Sequence, residues 1–334
     1  MTYSKLINGE GCFTELAADW DALAQQGMTD TPFQTLAYQQ SWWTHLHPFD
    51  ATLHTITVHN SDHALVGIAC LYISDGIIHF NGCVEETDYL DLIAKEEDAE
   101  FVWTAVLDCL CSDGFPKWDT LDLCNIPAAS LSRKILSQEA ERRGFSLSET
   151  VMEVCPIIEL PATFDDYLAN INSKQRREIK RKLRRANGAD VKVVTVQPGD
   201  DVAQFVDDFL QLLQKSTLEK QAWLNDDRRA LFHDVAQSSL KAGTLQLLFL
   251  EVDGRYAATL FNFNYKGRTW VYNSGLDAQA FSNLSLGVVI TAKAIELATQ
   301  NGNTTFDFLR GDEIYKYRFG AEDTQIFRET ISKN

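Results

Sequence analysis

Hydrophobic and polar positions fall into two similar series along the chain. In the C-terminal half, LQLLFLEV at 245–252 reads as a strand that stops at Asp253-Gly254, a hairpin turn signal. Residues 255–265 return as a second strand, Lys266-Gly267 turns the chain again, and RTWVYN at 268–273 gives a third. Leu286, Val289, Ile290, Ala294 and Leu297 then recur at helical spacing over 286–300, and Gly302 is placed to end that helix. TTFDFL at 304–309 reads as a closing strand.

The N-terminal half repeats this order. Strands at 52–59, 64–73 and 77–81 are separated by turns at Ser61-Asp62 and Asp75-Gly76. A helical pattern at 98–111 carries Phe101, Val102, Ala105, Val106 and Leu110 on one side. WDTLDLC at 118–124 answers TTFDFLR at 304–310, with Asp122 and Asp307 each between two apolar neighbours. Turn-to-turn spacing is 14 residues from Asp62 to Gly76 and 13 from Gly254 to Gly267. The pattern predicts an α/β (α+β) protein of two tandem units, 1–155 and 156–334, each a mixed, antiparallel-rich sheet flanked by helices. Between the copies, 164–187 reads as helical and 201–214 is amphipathic through Val202, Phe205, Val206, Phe209, Leu210 and Leu213. PIIELP at 156–161 reads as the crossover.

Composition narrows the class. A chain of 334 residues with 45% hydrophobic and 11% aromatic residues can fill two cores, which excludes disorder. No apolar run reaches the ~18 residues needed to span a bilayer, and the N-terminus lacks a secretory pattern. A cytoplasmic protein without membrane insertion is expected. Seven cysteines are scattered with no CxxC pair, which suggests buried thiols and not a disulfide framework. His45, His47 and the histidines at 54, 59, 63 and 79 match no zinc signature, so no metal is expected.

Charge adds one feature that composition hides. The net charge of −17 argues against general affinity for nucleic acid or anionic lipid. Yet KQRREIKRKLRR at 174–185 holds eight basic residues and one glutamate, so it carries +7 and leaves −24 for the rest. As a helix it aligns Arg177, Arg181 and Arg185 on one line and Arg176, Lys180 and Arg184 on the next. Such a face suits a phosphate, another anion or a tRNA. It equally suits a solvated helix facing the acidic body of the same protein.

Several short motifs share an order and spacing with a known group. They are Pro32-Phe33-Gln34…Trp42-Trp43, Asp88-Tyr89-Leu90-Asp91, Ser173-Lys174…Arg176-Arg177, Ser274-Gly275-Leu276-Asp277…Ser285-Leu286-Gly287, and the run Asp307-Phe308-Leu309-Arg310-Gly311-Asp312-Glu313-Ile314-Tyr315-Lys316. In these stretches, over nearly its whole length, the sequence resembles the GNAT superfamily of N-acyltransferases. The resemblance is to the acetyltransferase-6 or BioF-type domain of CelD-like proteins, close in architecture to the FemAB aminoacyl ligases with two tandem GNAT folds. It implies an acyl donor, usually acyl-CoA such as acetyl-CoA, and an amine acceptor, a small molecule or an amino sugar.

The resemblance also implies where the donor pyrophosphate binds: on free N–H groups where a helix begins after the third meander strand. Here that stretch contains Ser282, Asn283, Ser285, Leu286 and Gly287. It has one glycine where a standard GNAT loop is richer in glycine, and the same residues also read as an ordinary capped helix. The N-terminal copy has only acidic residues at 96–98 and 100 before its helix, as expected of a non-catalytic unit.

Acyl transfer requires that an amine of pKa ~10 lose a proton and that a thiolate (thiol pKa ~8.5) regain one. Candidate catalytic residues cluster after the last strand: Asp307, Asp312, Glu313, Tyr315 and Lys316. FemAB relatives use a lysine near this end, which singles out Lys316, while Asp307 also suits a structural hydrogen bond. Arg177, Arg181, Asp277 and Arg310 are the candidate substrate contacts. No cysteine sits beside a histidine in the C-terminal half, which favours direct attack over a covalent intermediate. The expected activity is N-acyl transfer from acyl-CoA to an amine. The alternatives are a FemAB-like transferase using aminoacyl-tRNA and a non-catalytic accessory protein of exopolysaccharide or envelope synthesis.

Overall fold

A computed structural model describes residues 3–83, 86–277 and 279–333. The chain divides into two compact units, Met1–Glu153 with Gln325–Asn334, and Val154–Thr324. In the first unit, β1 (Tyr3–Asn8) is followed by helices α1 (Gly11–Glu15), α2 (Trp20–Ala24) and α3 (Leu36–Leu46). An antiparallel meander comes next: β2 (Thr52–His59), β3 (Leu65–Ser74) and β4 (Ile77–Phe80). The short β5 (Ile93–Ala94) pairs with β3, and α4 (Ala99–Leu110), β6 (Thr120–Pro127) and α5 (Ser132–Arg143) complete the run. Strand β4 lies parallel to β6. Apolar positions of α4, Val102, Trp103, Val106 and Leu107, pack against Ile56, Leu71, Ile78 and Leu121 of the sheet.

The chain leaves this unit along β7 (Ser146–Glu159). The second unit adds α6 (Phe164–Asn170), α7 (Ser173–Gly188), β8 (Lys192–Thr195), α8 (Val202–Ser216), α9 (Leu218–Trp223) and α10 (Asp226–Lys241). Then follow β9 (Leu245–Val252), β10 (Arg255–Tyr265), β11 (Arg268–Leu276), α11 (Leu286–Gln300), β12 (Thr305–Asp307) and α12 (Ile314–Arg318). Its strands run in the order β7-β12-β11-β10-β9-β8, with β11 and β12 parallel. One face of this sheet packs Leu248, Leu250, Ala258 and Leu260 against Val289, Ile290 and Ala294 of α11. Aromatic rings fill the other: Phe209 of α8 and Phe232 of α10 meet Phe261, and Phe232 meets Tyr272. Trp270 and Tyr272 are accounted for by packing, the Trp270 indole donating to the Tyr265 carbonyl.

The helical region 164–187 is two helices parted at Ile171–Asn172, and the basic helix expected over 173–187 is α7, capped by the Asn172 side chain that accepts the Lys174 N–H. The meanders and the long helices lie where the pattern placed them, and three features differ. Strand β12 is shorter than 304–309 because Asp307 turns the chain. The tail assigned to the C-terminal unit forms β13 (Glu322–Ser332), and from Ile326 onward it pairs antiparallel with β6 in the first unit. Burial of Ile326 and Ile331 against the β6 edge accounts for that pairing. Cys83 and Cys124, expected as thiols, are joined by a disulfide across a Cα separation of 6.2 Å. Among the described residues no helix is long and apolar enough to cross a membrane.

On β13, Glu329 is fully buried beside the Glu149 carboxyl. Burial first, and Glu149 second, push its pKa up to about 8. The folded state therefore holds a proton that the unfolded chain releases near pH ~4.3. The stability this contributes is complete below that pH and is lost as pH rises through about 8. Glu329→Gln cannot ionise. Its unfolding free energy relative to the native protein should rise steadily from pH 4.5 to 8 and then level, read from denaturant unfolding at each pH. A pH-independent difference would refute the assignment.

Candidate functional site

The second unit is built around the point where β11 parts from β12. Strand β11 follows β10 along its length, but it pairs with β12 only from Arg268–Trp270 against Thr305–Asp307. The register between β10 and β11 shifts at Phe261/Asn262, leaving Tyr272 as the extra residue, and such a bulge bends a strand. The stretch Val271–Leu276 therefore presents an edge that β12 does not cover. Its backbone groups are satisfied by side chains instead, as buried peptide groups must be. The Leu276 N–H donates to Ser216 Oγ at 2.8 Å and the Ser274 N–H donates to Asn273 Oδ1 at 2.9 Å. The Ser274 carbonyl accepts from Lys220 Nζ at 2.7 Å. Gly275 lies under α8, where a Cβ would come within 2.6 Å of the Leu213 nitrogen, so only glycine lets that helix sit so close.

The start of α11 lies just past this edge. Phe281 and Ser285 both take left-handed backbone angles around a short turn at Ser282–Leu284, and Ser285 does not cap the helix with its side chain. The Val288 and Val289 N–H groups both donate to the Ser285 carbonyl. No hydrogen bond given for the described residues takes the Leu286 or Gly287 N–H. Ser282 and Asn283 are exposed, Ser285 and Gly287 half-buried, and Leu286 is anchored in the core. A Cβ on Gly287 would meet only Leu276 Cδ2 at 3.8 Å, so the space over this helix start is open.

The basic helix α7 packs beside α11 through Ile179, Leu183 and Ala186. Arg185 donates to the Asn283 carbonyl at 2.9 Å, which ties the basic face to the loop that starts α11. The acidic remainder of the chain neutralises little of this face. Arg181 pairs with Glu178 of its own helix, Lys180 reaches Asp165 at 3.9 Å, and Arg176 donates to the Ala169 carbonyl. Lys174, Arg177 and Arg184 are exposed, and among the described residues their side chains make no hydrogen bond or ion pair. Asp277 lies at the far end of β11, where it accepts from the Ala280 and Gln279 N–H groups and pairs with Lys215 at 3.6 Å. These N–H bonds, Ala280 first, with Lys215 hold its carboxyl below the usual range.

The segment after β12 is a tightly pinned loop. Asp307, 1% exposed, accepts the Leu309 N–H at 2.8 Å and so supports a left-handed Leu309. The Phe308 and Gly311 N–H groups donate to Pro156 and Val154 of β7. Lys316, 2% exposed, reaches back from α12 and donates to the carbonyls of Leu309, Arg310 and Gly311 at 3.2, 2.6 and 3.0 Å. Its Nζ also pairs with Glu313 at 2.9 Å. Gly311 has φ +106°, and a Cβ there would come within 2.6 Å of Glu313 Oε2. Arg310 is half-buried and Asp312 is exposed. Tyr315 packs edge-on against Phe308 and is 39% exposed as a residue. Desolvation of its phenol, with the Glu313 carboxylate nearby, raises its pKa well above the ordinary value.

One residue at this locus gave no signal in the sequence. Lys220, on α9, places Nζ at 2.7 Å from Ser274 O, 2.9 Å from Asn273 Oδ1 and 3.3 Å from Ser274 Oγ. Burial pushes its pKa down to about 8 and Glu313 partly opposes that shift. Separately, a cleft of about 530 Å³ in the same unit is lined by Ile158, Tyr167, Asn172, Gly320 and Asp323, among others, and by none of the candidate catalytic or binding residues. Among the described residues no group of three His, Cys, Asp or Glu side chains is arranged to hold a metal. In the first unit the helix corresponding to α11 is α4, and acidic residues Glu96–Asp98 precede it.

Comparison with known proteins bears on the same region. Residues 173–317 match the family described as acetyltransferase (GNAT) domain. No curated protein matches the sequence. Among solved structures, FemX superposes with a TM-score of 0.66 at 12% identity, covering 93% of this chain and 95% of its own. The C-terminal domain (DUF2156) of a protein assigned as a lysylphosphatidylglycerol synthetase from Agrobacterium fabrum gives 0.61 at 11% identity, covering 96% and 92%. A tandem GNAT protein from the clavulanic acid biosynthesis pathway gives 0.53 at 10% identity, covering 99% of both chains. At these identities the likeness is one of fold.

The loop geometry predicts what Lys316 does for stability. Removing its charge leaves three carbonyls and Glu313 without their donor, a loss of about 3 kcal/mol. Lys316→Met should therefore shift the urea midpoint strongly with the slope unchanged, whereas a shift of only a few tenths of a kcal/mol would show the loop to be held by other contacts.

Proposed function

From a chain whose residues 173–317 form an acetyltransferase (GNAT) domain, with a tandem GNAT-like fold overall, we propose an N-acyltransferase that moves an acyl group, acetyl in the simplest case, from acyl-CoA to a primary amine. The observation that carries the donor is the start of α11. Two open N–H groups and the positive end of the helix dipole lie there beside a helix whose exposed Lys174, Arg177 and Arg184 form no ion pair among the described residues. The pyrophosphate would rest on the N–H groups of Leu286 and Gly287, with Ser282, Asn283 and Ser285 around it. Arg177 and Arg184 would meet a further phosphate or an anionic acceptor. Arg181 is held by Glu178 and contributes to the field alone.

In this reading the donor's acyl end lies along the uncovered edge of β11. The acceptor amine attacks the acyl carbon directly, the carbon–sulfur bond breaks, and the sulfur takes up a proton. Tyr315 suits a hydrogen-bond donor to the departing sulfur or the developing oxyanion, because its raised pKa keeps the phenol protonated. Asp307, Glu313 and Lys316 act as positioning residues that fix the 308–316 loop, and Arg310 and Asp277 flank the ends of the site. A sugar or small-molecule amine acceptor in the cytoplasm fits this chemistry.

A FemAB-like transferase using aminoacyl-tRNA is the second reading, favoured by the length of the basic face. Twelve helical residues span about 17 Å, more than one phosphate group needs. Thermal unfolding with acetyl-CoA, free CoA and ATP as control separates the two. At ~100 times its Kd a donor adds about 2.7 kcal/mol, a rise of several degrees. Gly287→Glu adds a carboxylate in open space where the dipole tolerates it, so the variant should fold normally and lose the CoA-specific shift. No shift in the native protein at millimolar CoA would exclude the CoA donor. Steeply salt-dependent tRNA binding would then favour the second reading.

A further inference from the structure

We propose that Lys220 is the general base of the transfer, the group that takes the proton from the acceptor's ammonium form. The inference rests on the acyl-transfer reading above and adds a catalytic residue to it. Thr217 caps α9 by accepting the Lys220 N–H at 3.1 Å, which fixes the helix start and aims the side chain at the uncovered stretch of β11. The amine thus sits on the strand edge where the acyl carbon and the attacking nitrogen must meet.

The surroundings of Nζ suit a group that changes protonation. Its three partners, Ser274 O, Asn273 Oδ1 and Ser274 Oγ, are all neutral. As an ammonium Lys220 donates to all three. As a neutral amine it donates two hydrogens and accepts the Ser274 hydroxyl proton, so neither state leaves a polar group unmet. Three other lysines of this unit have a carboxylate at ion-pair distance: Lys215 has Asp277, Lys293 has Glu296 and Lys316 has Glu313. Charges on the elements around Lys220 are engaged elsewhere. Glu313 is held by Lys316, Asp277 by Lys215, and the Arg228 guanidinium lies over Trp223, while Glu219 is exposed on α9 itself. Burial without a counter-ion disfavours the charged form, consistent with a pKa pushed down to about 8 against ~10.4 for a solvated lysine.

The balanced step is simple. Neutral Lys220 accepts one proton from the acceptor R–NH3+, and the freed lone pair forms the carbon–nitrogen bond. The carbon–sulfur bond breaks with its electron pair going to sulfur, and the second nitrogen proton ends on that sulfur. The products are an amide, a thiol and one proton on Lys220, which is returned to solvent.

Two variants separate a base from a structural cation. Lys220→Arg keeps the charge and the donors but holds its proton at any accessible pH; Lys220→Met removes both. The measurement is the pH profile of kcat/KM from pH 6 to 10, with acetyl-CoA and a panel of primary amines including glucosamine. The native profile should rise with a midpoint near 8. Lys220→Arg should lower kcat at least ~10²-fold and abolish that limb, with the CoA-induced thermal shift unchanged. If Lys220→Arg stays within about threefold of native and keeps the limb while Lys220→Met fails, the role is structural and the proposal falls. If the native protein acylates no amine, the acyl-CoA reading fails, and Lys220 is judged by trinitrobenzenesulfonate labelling read by peptide mass. A labelling midpoint near pH 8 at Lys220 supports a reactive amine there, and one near that of surface lysines overturns it.

Discussion

Everything proposed for the second unit depends on one strand edge. A parallel pair that stops after three residues leaves peptide groups that must find partners, because burying them unpaired costs more than most single contacts return. Here the partners come from α8, α9 and β11 itself, through Ser216, Lys220 and Asn273. Each is a side chain, and a side chain can move aside for a ligand's peptide-like groups in a way that a ladder strand cannot. The bulge at Tyr272, the lack of a side chain at Gly275 and the turn supported by Asp307 all act to produce that edge.

The basic helix is the second constraint, and it works against local stability. Arg177, Arg181 and Arg185 lie four residues apart, and like charges at that spacing cost about 0.2–0.5 kcal/mol per pair. Glu178 offsets part of this, and the apolar seam of Ile179, Leu183 and Ala186 keeps the helix on α11. With a net charge of −17, enough acidic residues exist to pair every cation on α7, yet among the described residues Lys174, Arg177 and Arg184 stay exposed and form no ion pair. A surface that retains such repulsion supports the anionic ligand proposed for it. The first unit makes the contrast: acidic side chains at Glu96–Asp98 complete the dipole of α4 themselves and would repel a phosphate.

What was legible in the sequence was local. Asp253-Gly254 and Lys266-Gly267 mark turns because those backbones need positive φ, and all four residues adopt it. Helix 286–300 was legible because its apolar face is written at a spacing of three to four residues. The pairing of β13 with β6 was not, since it joins residues some 200 positions apart and either strand alone reads as an ordinary amphipathic segment. Lys316 was named from a motif, but its grip on three successive carbonyls follows from two left-handed backbones that no composition reveals. Lys220 sits in the polar run KSTLEKQAW, where any lysine reads as solvated. Its burial is created by β11, more than 50 residues later.

The two lysines also explain each other. Lys316 has four oxygens around Nζ, one of them a carboxylate, and every proton it carries has a fixed acceptor in the loop. A cation held in that way is suited to keeping a loop in place. Lys220 has three neutral oxygens, one of them a hydroxyl that can reverse its role, and the carboxylate that partly opposes its shift, Glu313, is already held by Lys316. By engaging Glu313 at 2.9 Å, Lys316 directs that carboxylate to the loop, and burial outweighs its pull on Lys220.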